Sequence, residues 1–268
     1  MSGTGPPPSH AVETIRRFLV AQVRAAGAAG VVLGLSGGVD SALVARLARD
    51  ALGPERVLGL LLPDRNVAEG LVAETVAYAQ GLGIAHRTIS VEPLEAAFRQ
   101  ALPEVQDRVT VGNTTARVRM TVLYAVARET GRLVAGTGNK SELLLGYFTK
   151  YGDGGVDLLP IGDLYKSDVY AVARELGLPD AIVARPPTAG FWPEQTDEGE
   201  LGGAYRDVDR ILRRLELLEP EEEIVRSTGL PPELVHGVLA RVAVHRHKRR
   251  LPPVAKLGLR TVGLDWRD

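Results

Sequence analysis

The sequence contains no cysteine. Its absence excludes disulfides, thiolate metal sites, cysteine nucleophiles and persulfide carriers. Neither sign of charge is in excess: 32 Lys and Arg face 33 Asp and Glu, for a formal net charge of −1. A general nucleic-acid or membrane-surface binder carries a basic excess, and the basic run HRHKRR at His245 to Arg250 is only local. No apolar run reaches the ~20 residues that a membrane span needs. The opening MSGTGPPPSH has no apolar core of a signal peptide, so residues 1–8 read as a disordered tail and the expected compartment is the cytoplasm. Lysine is scarce beside arginine. It occurs at Lys140, Lys150, Lys166, Lys248 and Lys256 alone, which draws attention to each of those places.

What is present suffices for a sizeable core. The 268 residues are 45% hydrophobic and 24% charged, and residues 9–268 read as one domain. Apolar positions Val12, Ile15, Phe18, Leu19 and Val23 predict a helix over 9–27, with Ser9 as its N-cap. Strands follow at 31–35, 56–63, 84–90 and 132–137, and helices at 40–52, 67–82, 92–101 and 113–130. The strands are continuously apolar rather than alternating. That pattern predicts a parallel sheet covered on both faces, in which ligands bind at the carboxyl ends of strands where strand order switches. The strands ending in LSGGVDS and GTGNKSE would therefore open on one crevice. Residues 146–162 and 184–198 read as irregular, and helices over 165–177, 198–218, 221–227 and 232–245 form a C-terminal extension.

SGGVDS, Ser36 to Ser41, follows the first strand directly. Glycines there let backbone N–H groups approach a phosphate, and the next helix adds its positive N-terminus. Ser36 and Ser41 could add hydroxyl donors. Asp40 would repel a phosphate unless a divalent cation stood between them, so it points to Mg²⁺. The Lys-Ser/Thr ending of a Walker A loop is missing. The bland alternative is a tight turn in which Asp40 or Ser41 caps the helix. Glu142, one turn into a helix after GTGN, would face the same crevice as Asp40, and two carboxylates from separate elements could share one Mg²⁺.

SGGVDS after a strand resembles the ATP pyrophosphatases, which cleave ATP between its α and β phosphates. Within them, GTGNKSELLLGYFTKYGDGGVDLLPIGDLYK (Gly136 to Lys166) resembles the NAD synthetases. So do GNTTARVRM, PTAGFWPEQTDEGELGGAY and HKRRLPP. The resemblance runs in order from about residue 10 to 253. It implies a Rossmann-like, adenine nucleotide alpha hydrolase-like fold, with a parallel five-stranded sheet flanked by helices and a C-terminal helical extension. It implies ATP contacts from Gly34, Leu35, Ser36, Gly37, Gly38, Val39, Asp40, Ser41, Thr137, Lys166 and Thr188. Deamido-NAD contacts fall to Arg117, Lys150, Asp157, His247 and Lys248, and metal ligation to Asp40 and Glu142. Asp153 orders its loop or sits near the acyl centre. Arg117 and Arg119 are two apart on a helix and cannot share a face; the resemblance selects Arg117 as the inward one. QTDEGELG (Gln195 to Gly202) reads as a capped, acidic helix start with no chemistry of its own.

The implied reaction is amidation of deamido-NAD to NAD with ammonia through an NAD-adenylate, releasing AMP and pyrophosphate, with ATP as co-substrate and Mg²⁺ as cofactor. The missing thiol selects the ammonia-dependent form over a glutamine-dependent one, which uses a Cys nucleophile. The family is homodimeric; no nucleic acid or membrane partner is expected. Some relatives carry a basic residue before the Leu-Pro that ends the second strand. Leu61 stands there, and Arg65 is the nearest substitute. A tRNA thiolase would need cysteines and a broader positive charge, and a non-catalytic nucleotide-binding module would have no reason to keep both Asp40 and Glu142.

Overall fold

The computed structural model describes residues 8–192 and 194–262. Residues 1–7 of the expected disordered tail lie outside the described residues. The first helix, α1 (Pro8–Ala25), starts on a proline, whose fixed φ suits a first helical turn. Ser9 is therefore inside the helix rather than its cap.

The chain continues through β1 (Gly30–Gly34), α2 (Val39–Leu52), β2 (Val57–Leu61), α3 (Glu69–Gly81), β3 (Ala85–Thr88), α4 (Glu92–Ala101), α5 (Arg108–Thr130) and β4 (Arg132–Val134). After β4 come α6 (Lys140–Leu145), α7 (Lys166–Glu175), α8 (Asp180–Val183), α9 (Asp197–Leu201), α10 (Tyr205–Glu216), α11 (Glu221–Thr228) and α12 (Pro232–Val244). A 3₁₀ turn, His245–Arg249, follows α12.

All strand pairings are parallel and the order is β3-β2-β1-β4. Val31 stands opposite Val57 on one side and Leu133 on the other. Period-two geometry then splits the apolar runs between two cores. Val31 and Leu33 face one core with α1, α2 and α7; Val32, Leu58, Leu60 and Val134 face the other with Ala127 of α5. This is why the runs of β1 and β2 are unbroken: apart from half-buried Gly34, each residue, on either face, is buried. Strand β4 is half-buried up to Val134, and the edge strand β3 is mostly exposed.

The sheet has four strands among the described residues, not the five expected. The candidate fifth contributes a single bridge, Ala135 to Leu158. Gly154 and Gly155 precede it and Pro160, which has no N–H to donate, follows, so no ladder can grow in either direction.

Two helix boundaries also differ. The expected helix 198–218 is two, because Gly202 ends α9 in the left-handed region at φ 76°. Helix α5 begins five residues earlier than expected, capped by Asp107, whose carboxylate accepts the Thr110 N–H at 2.8 Å. The C-terminal helices form their own cluster around Val208, Ile211, Leu212, Ile224 and Val235, packed on Leu145 of α6. No described helix is long and apolar enough to cross a membrane.

Candidate functional site

Strand order reverses between β2 and β4 around β1, so a crevice opens at the carboxyl ends of β1 and β4. The loop after β1 fills one side of it. Gly37 sits at φ 81°, a conformation that favours glycine, and a Cβ there would stand 2.6 Å from Leu71. Ser36 N–H donates to Ser41 Oγ at 3.2 Å, and the Gly38 N–H donates to Ser36 Oγ at 3.2 Å. Ser41, buried, donates to the Gly38 carbonyl at 3.0 Å. Its hydroxyl proton is thus engaged in shaping the loop. Gly38 is the N-cap of α2 and receives no side-chain cap; neither Asp40 nor Ser41 plays the bland capping role.

Asp40 reaches across the crevice instead. Its Oδ1 accepts from Asn139 Nδ2 at 2.9 Å, and its Oδ2 pairs with Lys166 Nζ. Glu142 Oε1 lies 3.6 Å from the same ammonium. Asn139 and Glu142 form a reciprocal capping box at the start of α6: Glu142 N–H to Asn139 Oδ1 at 3.0 Å, and Asn139 N–H to Glu142 Oε2 at 3.1 Å. Lys166 is 2% exposed, so it is no surface charge. Its own backbone N–H donates to Ser141 Oγ at 2.9 Å, and Ser141 in turn donates to buried Asp209, which also accepts the Ser167 N–H at 2.7 Å. One carboxylate of α10 thereby ties α6 to α7 and fixes where Lys166 starts.

The electrostatics follow. Burial, and then the neighbouring Asp40 charge, push the Glu142 carboxyl up to about 8, against the pull of Lys166. Burial disfavours the Lys166 ammonium, but Asp40 and Glu142 outweigh it and raise its pKa. The two carboxylates already hold one cationic head between them. They supply hard oxygen donors, and Mg²⁺ binds through one or two carboxylates plus substrate phosphates. No cluster of three or more His, Cys, Asp or Glu suited to a metal occurs among the described residues. The donor set therefore fits a cation that phosphate completes. Thr137, past the end of β4, is half-buried. Thr188 is exposed and accepts the Gly190 N–H at 3.0 Å.

A second group gathers on the loop 146–155. Lys248 Nζ donates to the carbonyls of Gly146 at 2.6 Å and Phe148 at 2.8 Å. Lys150 Nζ donates to the His247 carbonyl at 3.0 Å, and Arg117 to the Lys150 carbonyl at 3.3 Å. Asp153 accepts the Thr149 N–H at 2.8 Å and so orders this loop. Arg117, Lys150, His247 and Lys248, distant in sequence, converge here. Desolvation and the positive charges of Arg241 and Arg117 lower the Lys248 pKa. Asp157 stands apart: its carboxylate accepts the Val134 N–H at 2.7 Å and the Tyr124 hydroxyl at 3.0 Å, anchoring the loop to β4.

On α5 the inward arginine is Arg119, not Arg117. Arg117 is exposed, while Arg119 Nε donates to the Leu62 carbonyl at 3.0 Å and its guanidinium pairs with buried Asp64 at 3.3 Å. A positive charge thus stands at the end of β2, where Leu61 supplies none, and it comes from α5; Arg65 is exposed. Sequence reasoning also missed Asn139, whose N-x-x-E spacing to Glu142 is a readable capping signal. It missed Arg185, which donates to the Gly37 carbonyl and pairs with Glu74 at 2.5 Å, fastening the loop to α3. No local pattern points to Arg185, Asp209 or Asp197, the last a buried carboxylate beside the cluster.

These features define a class: an α/β nucleotide-binding protein whose phosphate loop sits at the sheet's switch point, lacks a Walker lysine, and faces an Asp–Lys–Glu cluster. Comparison with known proteins narrows it. The sequence model of the family described as NAD synthase matches residues 11–252. The NH(3)-dependent NAD(+) synthetase of Methanosarcina acetivorans is 46% identical over 246 residues, covering 91% of this chain and 96% of that protein. That of Hyperthermus butylicus is 49% identical over 243 residues, covering 90% and 88%. Among solved structures, an NMN synthetase from Francisella tularensis matches with a TM-score of 0.84 at 32% identity, over 94% of this chain and all of that one. An NH3-dependent NAD synthetase from Campylobacter jejuni matches with a TM-score of 0.80 at 32% identity, over the same shares. The chain belongs to the NAD synthase family.

Proposed function

We propose that this protein makes NAD from deamido-NAD, ATP and ammonia. One observation carries the reading: a Gly-Gly phosphate loop without a Walker lysine faces Asp40, Lys166 and Glu142, within a chain 42–49% identical to NH(3)-dependent NAD(+) synthetases.

A carboxylate cannot exchange oxide for an amine at neutral pH, so it is activated first. The nicotinate carboxylate oxygen attacks the α-phosphorus, the Pα–O–Pβ bond breaks, and pyrophosphate leaves. Ammonia then attacks the acyl carbon, the bond to the AMP oxygen breaks, and AMP leaves with a proton lost to solvent. No protein nucleophile is needed; the work is positioning and charge neutralisation. The N–H groups of Gly37, Val39 and Asp40 and the Lys166 ammonium take the triphosphate, with Gly34, Leu35, Thr137 and Thr188 around the nucleotide. Mg²⁺, held by Asp40 and Glu142, would neutralise the charge on the departing pyrophosphate. Arg117, Lys150, Asp157, His247 and Lys248 bind deamido-NAD, and Asp153 keeps their loop in shape. The protein acts as a homodimer. Exposed Leu94 in the first turn of α4, Leu102 just after α4 and Val109 in the first turn of α5 offer apolar surface for that contact.

The test is direct. Incubation with Mg²⁺-ATP and deamido-NAD should give NAD and AMP with ammonium and not with glutamine. ADP as product, or AMP formed without deamido-NAD, refutes the reading. The Francisella tularensis neighbour gives a second reading, in which the acceptor is the mononucleotide. Nicotinate mononucleotide in place of deamido-NAD decides between them: a higher kcat/KM for the mononucleotide establishes the second.

A further inference from the structure

The acidic stretch QTDEGELG, which suggested no chemistry in sequence, brings one group to the edge of the crevice. Asp197, the first residue of α9, is 4% exposed. Its Oδ2 accepts the Tyr205 hydroxyl at 3.2 Å, but its Oδ1 is buried and has no hydrogen-bond partner. A buried carboxylate oxygen left without a donor costs ~1–3 kcal/mol or more. The Tyr147 hydroxyl stands close by, yet it has a single proton and donates it to Glu200 at 2.7 Å. Lys166, across the Tyr205 ring at 5.4 Å, is engaged by Asp40 and Glu142. Glu200 is also satisfied, accepting from Gln195 at 3.2 Å.

The surroundings therefore comprise one acceptor wanting a donor, a second carboxylate, Glu200, the ring of Tyr147 with the Arg241 guanidinium 5.4 Å from its centre, and the ring of Tyr205. A divalent cation needs several hard oxygens, and no cluster of that kind occurs among the described residues. An ammonium ion suits the place better: it donates in four directions, pairs with one carboxylate, and is attracted to aromatic faces. We propose that Asp197, with Tyr147 and Tyr205, is the subsite that captures ammonium beside the phosphate cluster before the second half-reaction. This rests on the ammonia-dependent activity proposed above. Asp197 recruits the nitrogen donor; it takes no part in ATP activation.

The experiment separates the two half-reactions in the full-length protein. Asp197→Asn keeps an acceptor for Tyr205 and should fold, as checked by its denaturation midpoint. We expect its KM for ammonium to rise about tenfold or more, the worth of one charge-assisted hydrogen bond, with KM for ATP and single-turnover pyrophosphate release without ammonium within twofold of the parent. Tyr205→Phe keeps the ring and should change KM for ammonium less than Tyr205→Leu; Asp197→Glu should recover part of the loss. Equal loss of pyrophosphate release in Asp197→Asn, or an unchanged KM for ammonium, overturns the assignment. If Asp197→Asn does not fold, the Tyr205 pair decides it alone: equal effects of Phe and Leu refute the subsite. Failure of the parent protein to make NAD from ammonium at all would instead refute the function itself.

Discussion

Glu142→Gln should make the ligand-free protein more stable and the enzyme inactive, and the gain should depend on pH. Glutamine is nearly isosteric and its carbonyl still accepts the Asn139 N–H, so the capping box of α6 survives. What is removed is a negative charge that burial and Asp40 disfavour. The folded-state pKa is raised, from 4.5 to about 8. The protonated form is thus favoured by folding. The stabilisation is fully present below pH 4.5 and is lost as pH rises toward about 8. The entire shift would correspond to ~5 kcal/mol. The side chain keeps 18% exposure and faces Lys166, so screening reduces the expected difference to about 1–3 kcal/mol. Urea denaturation of ligand-free parent and variant at pH 5 and pH 9 measures it. Curves that coincide at pH 5 and separate at pH 9 in favour of the variant are expected, together with loss of deamido-NAD-dependent AMP formation. A variant less stable than the parent at both pH values, or a difference independent of pH, would refute the electrostatic reasoning. Full retained activity would remove Glu142 from the metal site.

Three further outcomes are expected. Asp50, ion-paired with Arg46, Arg49 and Arg16 at 2.8–2.9 Å, has its pKa lowered; burial opposes this and the guanidiniums prevail. Its stabilisation is present above about pH 4 and is lost as pH falls through the depressed value, so Asp50→Asn should cost about 2 kcal/mol at neutral pH and flatten the acid limb of a stability–pH curve. Asn139→Ala removes both the α6 cap and the donor to Asp40; a loss of about 2 kcal/mol is expected by thermal or urea denaturation, with a raised KM for ATP. Arg119→Lys cannot span the Leu62 carbonyl and Asp64 together; urea denaturation should show a loss of about 1–2 kcal/mol.

How much of this was readable in sequence depends on the length of chain over which each feature is decided. Strands β1 and β2 were legible because burial on both faces leaves unbroken apolar runs at 31–35 and 57–61. The phosphate loop was legible because glycine, serine and aspartate lie within six residues. The fifth strand was not, since Gly154, Gly155 and Pro160 act on whether a ladder grows, and a short, mostly apolar stretch such as Val156 to Leu159 does not reveal that. The Gly202–Gly203 break was written in the chain, but the apolar spacing on either side of it continued the helical period and hid it.

The site separates in the same way, and the arginines of α5 show why. Residue spacing alone establishes that Arg117 and Arg119 point in different directions. Which one faces the sheet depends on where α5 lies over β2, a tertiary fact fixed by the buried Asp64 and the Leu62 carbonyl 57 residues away. Arg185 on Gly37 and Asp209 on Ser141 are of the same kind, with separations of 148 and 68 residues. They lie in no motif themselves, and their types alone suggest surface ion pairs. Their positions explain why a motif can be read while the apparatus that aims it cannot. The phosphate loop and the loop 146–155 are short, glycine-rich segments. The groups that hold them come from helices packed elsewhere and meet them only when the chain has folded. The orphaned oxygen of Asp197 belongs to this second set: QTDEGELG showed a helix start, and only the folded chain shows a carboxylate placed against Tyr147 and Tyr205 with one acceptor still unmatched.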